Sequence, residues 1–333
     1  MKIRDEAYRY YFYFMEERMA MFWKKYEGQK SNLTGDKILA GNKFTNVYRA
    51  QDRVSQFLIR EVIYGYGAQG MNEIDMLLRI LVFKIFNNID TWVFLEEKLG
   101  VLCVGNFKTE VIVSLLDERI RNKPIFSAAY MMTGAHRKYA EYNSKHEKWL
   151  AMVNGEMIRG GALKKIAGAK SLEEVYDILI GCSFIGEFLA YQYAIDFNYS
   201  EVLNFDENDF VKAGIGAIRG IQKCFPGIDN GSYEKCIRYT QENMEKYKAK
   251  YGFLNFKDLF GRQPRLIDLQ NCFCETDKYL RAKMPELRVG NVRIKQKYAG
   301  YKNDIDFFFP PKWGINQYVK QCTTGNSTAL TLF

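Results

Sequence analysis

Proline and histidine are scarce in this chain, at six and two of 333 residues. With so few prolines and no stretch rich in Pro, Gly or Ser, the sequence has no linker, and one continuous body is expected. The two histidines, His136 and His146, have no Cys or acid at ligand spacing beside them. A zinc site is therefore not expected, nor any other metal or cofactor. There is no G-x-x-x-x-G-K-[ST] string, which excludes a phosphate-loop kinase. No G-x-S-x-G string or Cys/His pairing points to acyl transfer. The longest apolar run, MLLRILVFKIF, carries Arg79 and Lys84, so no membrane span is expected. The seven cysteines are odd in number and scattered, and the first residues, MKIRDEAYRYYFYFMEER, do not read as a signal peptide. Reduced thiols in a cytoplasmic protein are the expectation.

Positive charge and aromatic rings are plentiful. The net charge is +9, with 23 Tyr and 24 Phe. Most of the rings should form the core, because each buries a large area. A basic surface with tyrosines in it also suits nucleic acid, since cations answer phosphates and rings stack on unpaired bases. The basic character peaks between Lys278 and Lys302, where eight Lys and Arg face one acid, Glu286, and Tyr279, Tyr298 and Tyr301 lie among them. Such a run is either a solvated face or a nucleic-acid contact.

Apolar residues recur at three and four over 5–26, 46–63, 73–86, 91–98, 109–121, 136–150, 172–181, 186–196, 233–249 and 265–282, the spacing of amphipathic helices. Period-two alternation is convincing only at NVRIKQKY, which predicts a short strand or hairpin arm. The fold class is all-α: one helical domain over 1–285, with two lobes around a cleft as one arrangement, then a basic irregular extension over 286–333.

Three patterns carry chemistry. On a wheel of 100° per residue, LIDLQNCFCETDKYL places Leu269, Phe273, Thr276 and Leu280 on an apolar stripe. Asp268, Asn271, Glu275 and Tyr279 share a polar stripe, with Lys278 and Cys272 at its margins. Cys272 and Cys274 diverge by roughly 160°, so they do not chelate one ion. The polar stripe suits a site that positions a base and activates water, and equally a solvated face with ordinary ion pairs. In FTNVYRAQDRVSQFLIR, with Thr45 as cap, Asn46, Arg49, Arg53, Gln56 and Arg60 fall within about 80° of one another. Stacked arginines need anions, either phosphates or the protein's own acids. The third pattern is a pair of glycine turns, at Gly186 and at Gly214 with Gly216, each opening a helix whose N-terminal N–H groups could hold a DNA phosphate. Asp196 and Asp209 lie near them.

The strings FTNVYRAQDRVSQFLIREVI, LLRILVFKIFNNIDTW, IGEFLAYQYAIDFNYS, DFVKAGIGAIRGI and DLQNCFCETDKY together resemble the helical domain of the α-glutamyl/putrescinyl-thymine pyrophosphorylase and hydroxymethyluracil DNA kinase group. That group is related to the helix-hairpin-helix DNA glycosylases. The resemblance covers about 8–285 and implies a helical, glycosylase-like bundle that handles modified bases in DNA. It maps onto Asn46, Arg49, Asp52, Arg53 and Gln56; onto Arg79 and Asn87; onto Gly186, Asp196, Gly214 and Gly216; and onto Asp268, Gln270, Asn271, Glu275, Lys278 and Tyr279. Against the hairpin pattern Leu-Pro-Gly-Val-Gly the chain has Cys182-Ser183-Phe184-Ile185-Gly186, without the proline and the first glycine. This favours the Gly214 turn as a phosphate clamp.

Three activities fit. The first is a DNA glycosylase that flips a hypermodified pyrimidine, such as a glycosylated hydroxymethylpyrimidine, and cleaves its N-glycosidic bond, with antiphage defence as a role. The second is a transferase that displaces pyrophosphate from activated 5-hydroxymethyluracil with an amine. The third is a non-catalytic reader of modified DNA. A glycosylase needs only DNA and water and is preferred. Asp196, Glu275 and Asp268 are its candidate acids. Asn46, Arg49, Arg53, Gln56, Arg79, Gly186, Gly214, Gly216, Gln270, Asn271, Lys278 and Tyr279 are its candidate DNA or base contacts. The expected partner is DNA containing modified bases, and the expected state is a monomer.

Overall fold

The structure, a computed structural model, describes residues 1–128, 132–287, 289, 294, 297 and 305–320. Among them the regular elements are helices, in the order α1 (Asp5–Tyr26), α2 (Lys37–Gly41), α3 (Arg53–Phe57), α4 (Glu73–Phe86), α5 (Ile89–Leu99), α6 (Thr109–Ile120), α7 (Lys145–Met152), α8 (Ala162–Ala167), α9 (Leu172–Ile180), α10 (Glu187–Phe197), α11 (Ile215–Cys224), α12 (Tyr233–Glu242), α13 (Met244–Tyr251) and α14 (Leu266–Lys283). Short 3-10 and π segments join them, and isolated bridges such as Asn42 to Lys297 are the only β pairing among these residues. The all-α class is as expected.

Local chemistry accounts for the best-defined ends. α1 starts on Asp5 and Glu6 and finishes on Lys24 and Lys25, charges that complement the helix dipole. The Asn72 side chain accepts from Asp75 N to start α4, and Asn87 ends that helix in the left-handed region at φ 48°. Within α14 the apolar stripe is fully buried at Leu269, Phe273, Thr276 and Leu280. Each large apolar side chain sequestered this way contributes about 1.5–3 kcal/mol. Tyr11 of α1 packs its ring 4.3 Å from Phe273. On the other side α11 approaches very closely: a Cβ on Gly220 would lie 2.0 Å from the Phe273 carbonyl oxygen, and one on Gly216 would lie 2.3 Å from Cys274 Sγ. Glycine there is a packing requirement.

Several helices differ from the periodicity. The 46–63 stretch is a 3-10 turn over Arg49–Gln51, a break at extended Asp52 (φ −71°, ψ 142°), α3, and a π turn over Leu58–Ile63. Segment 136–150 is helical mainly from Lys145, and 233–249 divides at Asn243 into α12 and α13. Most of the predicted NVRIKQKY strand and half of the eight basic residues of the run, Arg288, Arg293, Lys295 and Lys302, together with Tyr298 and Tyr301, fall outside the described residues. Residues 305–320 return to the body, where Phe309 is completely buried.

Candidate functional site

The polar stripe of α14 exists, but it does not face water. Segment 36–52 lies along it and takes up every member. Asp268 Oδ1 accepts from Arg49 N at 3.0 Å and its Oδ2 from Arg265 N at 2.9 Å. Asn271 Nδ2 donates to Thr45 Oγ1 and to the Asn46 carbonyl, both at 3.0 Å. Glu275 Oε2 accepts from Thr45 N at 3.0 Å and from Lys278 Nζ at 2.7 Å. The Tyr279 hydroxyl donates to Asp36 Oδ2 at 2.7 Å, and Tyr13 donates to the same oxygen at 2.9 Å. Burial would raise the Asp36 carboxyl, but bonds from Leu39 N, Tyr279 and Tyr13 outweigh it and hold the group below its ordinary range.

Behind this clamp lies a sealed ionic layer. Arg49 of the 3-10 turn crosses to α10 and grips Asp196 with both nitrogens, at 2.6 and 2.9 Å. Its Nε donates to Gln192 Oε1 at 2.8 Å, and the Tyr199 hydroxyl lies 3.4 Å away. Lys84 of α4 approaches Asp196 Oδ2 at 3.5 Å and donates to Asn87 Oδ1 at 2.8 Å. Asp196 has no solvent exposure. The layer thus fully commits this carboxylate to two cations, which corrects the expectation that Asp196 faces a substrate. Asp268 is likewise a buried acceptor of two backbone N–H groups, and burial, reinforced by nearby Glu207, pushes its carboxyl up to about 7. Glu275 is engaged on both oxygens by Lys278 and on one by Thr45.

The accessible end of the arrangement is centred on Asn46. Its Oδ1 accepts from an Arg18 guanidinium nitrogen at 2.8 Å, while its backbone N and its Nδ2 both donate to Asp52 Oδ1, at 3.0 and 3.1 Å. Asp52 is half-buried, and among the described residues its Oδ2 accepts no hydrogen bond. Dense surroundings push its carboxyl up to about 6; the Asn46 bond and Arg18 oppose the rise, and Glu275 adds to it. Asp52 is the group absent from the sequence-derived acids. It stood in the FTNVYRAQD string, but a continuous helix over 46–63 would have placed it off the polar face.

The description "5-hmdU DNA kinase, helical domain" matches residues 5–289. The chain belongs to this family. The match covers nearly all of the helical body, and the family is associated with enzymes acting on hydroxymethyluracil in DNA. No curated protein and no solved structure matches the chain.

The kinase helical-domain fold of this chain disposes of the remaining candidates as follows. The five-residue Arg/Asn face over 46–60 does not form, because the break at Asp52 turns Arg49 inward and sends Arg60 outward to Asp306 at 3.0 Å. Gln56 is buried, donating to the Ala50 carbonyl at 2.7 Å and accepting from Phe308 N at 2.8 Å. Arg79 is buried as well, stacked 5.0 Å from Trp92 and paired with Glu96, so it cannot meet DNA in this structure. Gly216 is filled by Cys274, as described, and not open to a ligand. Gly214 caps α11 beside Gln270, whose Nε2 would lie 3.3 Å from an added Cβ, and beside Phe188. Gly186 caps α10 with open space around it. Arg53, which follows Asp52 in the chain, and Lys278, paired with buried Glu275, are themselves half-buried.

The first hairpin is better formed than its sequence suggests. Phe184, at the position of the missing first glycine, adopts φ 67°. It is held there by stacking on Trp149 at 5.2 Å and by Glu156, which accepts from Ser183 N at 2.8 Å and from its hydroxyl at 2.7 Å. Bonds from Lys138, Ser183 and Tyr139 outweigh burial and hold Glu156 down at about 2, so the anchor stays ionised. The left-handed conformation that glycine adopts readily is retained here by tertiary contacts.

Proposed function

We propose that this chain is a DNA glycosylase acting on a hypermodified pyrimidine, with Asp52 as the carboxyl that serves the reaction. The observation that carries the reading is Asp52 itself: a half-buried acid, held near neutrality, with one oxygen uncommitted. A general base works best with a pKa near the working pH and within reach of the proton it takes. In the proposed step the N1–C1′ bond breaks and its electron pair leaves with the base. Water attacks C1′, and the proton it loses passes to Asp52 Oδ2. The Asn46 bonds fix Oδ1 and leave Oδ2 without a hydrogen bond among the described residues. Membership of a family of hydroxymethyluracil enzymes supports a modified pyrimidine as the substrate. The facing helix starts at Gly186 and Gly214, with exposed Phe188 (43%) and Ile215 (62%) between them, are the surface we assign to the DNA backbone.

The test is to incubate the protein with duplexes carrying thymine, 5-hydroxymethyluracil, hydroxymethylcytosine, its glucosylated form or pyrophosphorylated hydroxymethyluracil, with and without amines. Abasic sites should form on one of the modified duplexes, and Asp52→Asn should slow their formation by roughly 100-fold or more. An amine-dependent mass gain would instead establish a transferase, and binding without either product a reader. Full activity of Asp52→Asn would remove Asp52 from the mechanism.

A further inference from the structure

The family match ends at residue 289, yet residues 305–320 close part of the helical body. Trp313 of this strap lies against the Arg262 guanidinium at 3.8 Å, packs edge-on to Tyr199 at 5.8 Å and stacks on Phe309 at 6.0 Å. Lys312 fastens it by donating to the carbonyls of Ser200 at 2.8 Å and Leu203 at 2.5 Å. Beneath the indole, Arg262 pairs with Glu207 at 3.0 Å, and Tyr199 reaches Arg49.

Two polar atoms under the strap are left over. Arg262 Nε is buried without a hydrogen bond among the described residues, although a guanidinium N–H normally finds an acceptor. Glu207 is also buried, and among the described residues only its Oε1 accepts a hydrogen bond, from Arg262. The surroundings of Trp313 thus comprise a cationic stacking plane and an unused carboxylate oxygen. That set complements a planar ring carrying an N–H on its edge, as a uracil-type base does.

We propose that Trp313 occupies a ring-binding cleft formed by Arg262, Tyr199 and Glu207, and that the strap must lift before a flipped uracil-type base enters. The choice of base rests on the proposed function; the cleft and its occupant rest on the contacts above. A site shut by its own chain has its affinity reduced in proportion to the fraction of molecules in which it stands open. Trp313→Ala should therefore bind 5-hydroxymethyl-2′-deoxyuridine about tenfold or more tightly than the wild type in a calorimetric titration. Adding Glu207→Gln should abolish the gain. Lys312→Ala keeps the indole but loosens its fastening, so it should gain affinity and make Trp313 more open to acrylamide quenching, judged against Trp313→Phe. The proposal is overturned if whichever of Trp313→Ala and Lys312→Ala folds binds the nucleoside no better than wild type, or if the gain survives Glu207→Gln. Nucleoside binding needs no bond cleavage. Failure here therefore leaves the Asp52 assignment standing, and failure of excision leaves the cleft standing.

Discussion

Asp196→Asn separates a structural role from a catalytic one. The carboxylate has no exposure, both oxygens meet Arg49, and Lys84 lies 3.5 Å from one of them. Asparagine has the same shape but no charge, and its NH₂ group would face a guanidinium nitrogen. Removing one partner of a buried ion pair costs about 3–5 kcal/mol, because the remaining charge is stranded away from water. Here two cations would be stranded, so the upper end, about 4–5 kcal/mol, is expected. Urea unfolding of the full chain at neutral pH, followed by far-UV circular dichroism, measures the loss. Pairing the change with Arg49→Met should return part of it, since the two residues act as one unit. A loss below about 1 kcal/mol together with abolished base excision would refute this reasoning and restore Asp196 to the chemistry.

Two further outcomes follow from packing and burial. Gly216→Ala should destabilise by about 1–3 kcal/mol, because the new methyl would lie 2.3 Å from Cys274 Sγ, and Cys274→Ala in the same chain should recover most of the loss in thermal melts. The Asp268 carboxyl is pushed from 3.8 up to about 7 in the folded chain, so its contribution is fully present below about pH 4 and is lost as pH rises toward 7. Asp268→Asn should therefore flatten the stability profile across that window, by on the order of 4 kcal/mol at its upper end; an unchanged slope would show that the burial penalty is not expressed.

The sequence showed most clearly what depends on neighbours in the chain. α1 and α4 match their predicted spans, and α14 is displaced by one residue at each end. The helical wheel of α14 correctly grouped Asp268, Asn271, Glu275 and Tyr279 on one face. What the wheel could not show is the covering: whether a polar face meets solvent or another segment depends on contacts more than two hundred residues apart in sequence, such as Thr45 with Glu275. The same limit applies to Arg79, whose buried setting is built by Trp92 and Glu96 on the next helix. The break at Asp52 was hidden for a local reason. Its carboxylate reaches back to Asn46, a side-chain to backbone bond that competes with helix and leaves no mark on apolar periodicity.

That break gives the site its geometry. The partners of α14 run in reverse order, from Arg49 opposite Asp268, through Thr45 and Asn46 opposite Asn271 and Glu275, to Asp36 opposite Tyr279. An antiparallel register spanning three turns of helix, about 16 Å, fixes the segment against sliding along the helix. Asp52 lies just past the Arg49 end of this clamp, tied back to Asn46 inside it. The acids of α14 are therefore committed to holding the segment in place, whereas Asp52, on that segment, keeps one oxygen that accepts no hydrogen bond among the described residues. A rigid helix presents polar groups at fixed spacing, and a short irregular segment locked against it can hold a carboxylate by one oxygen alone. This division of labour between a committed face and a held, uncommitted acid matches the requirement that a reactive group be positioned by residues that do not themselves react.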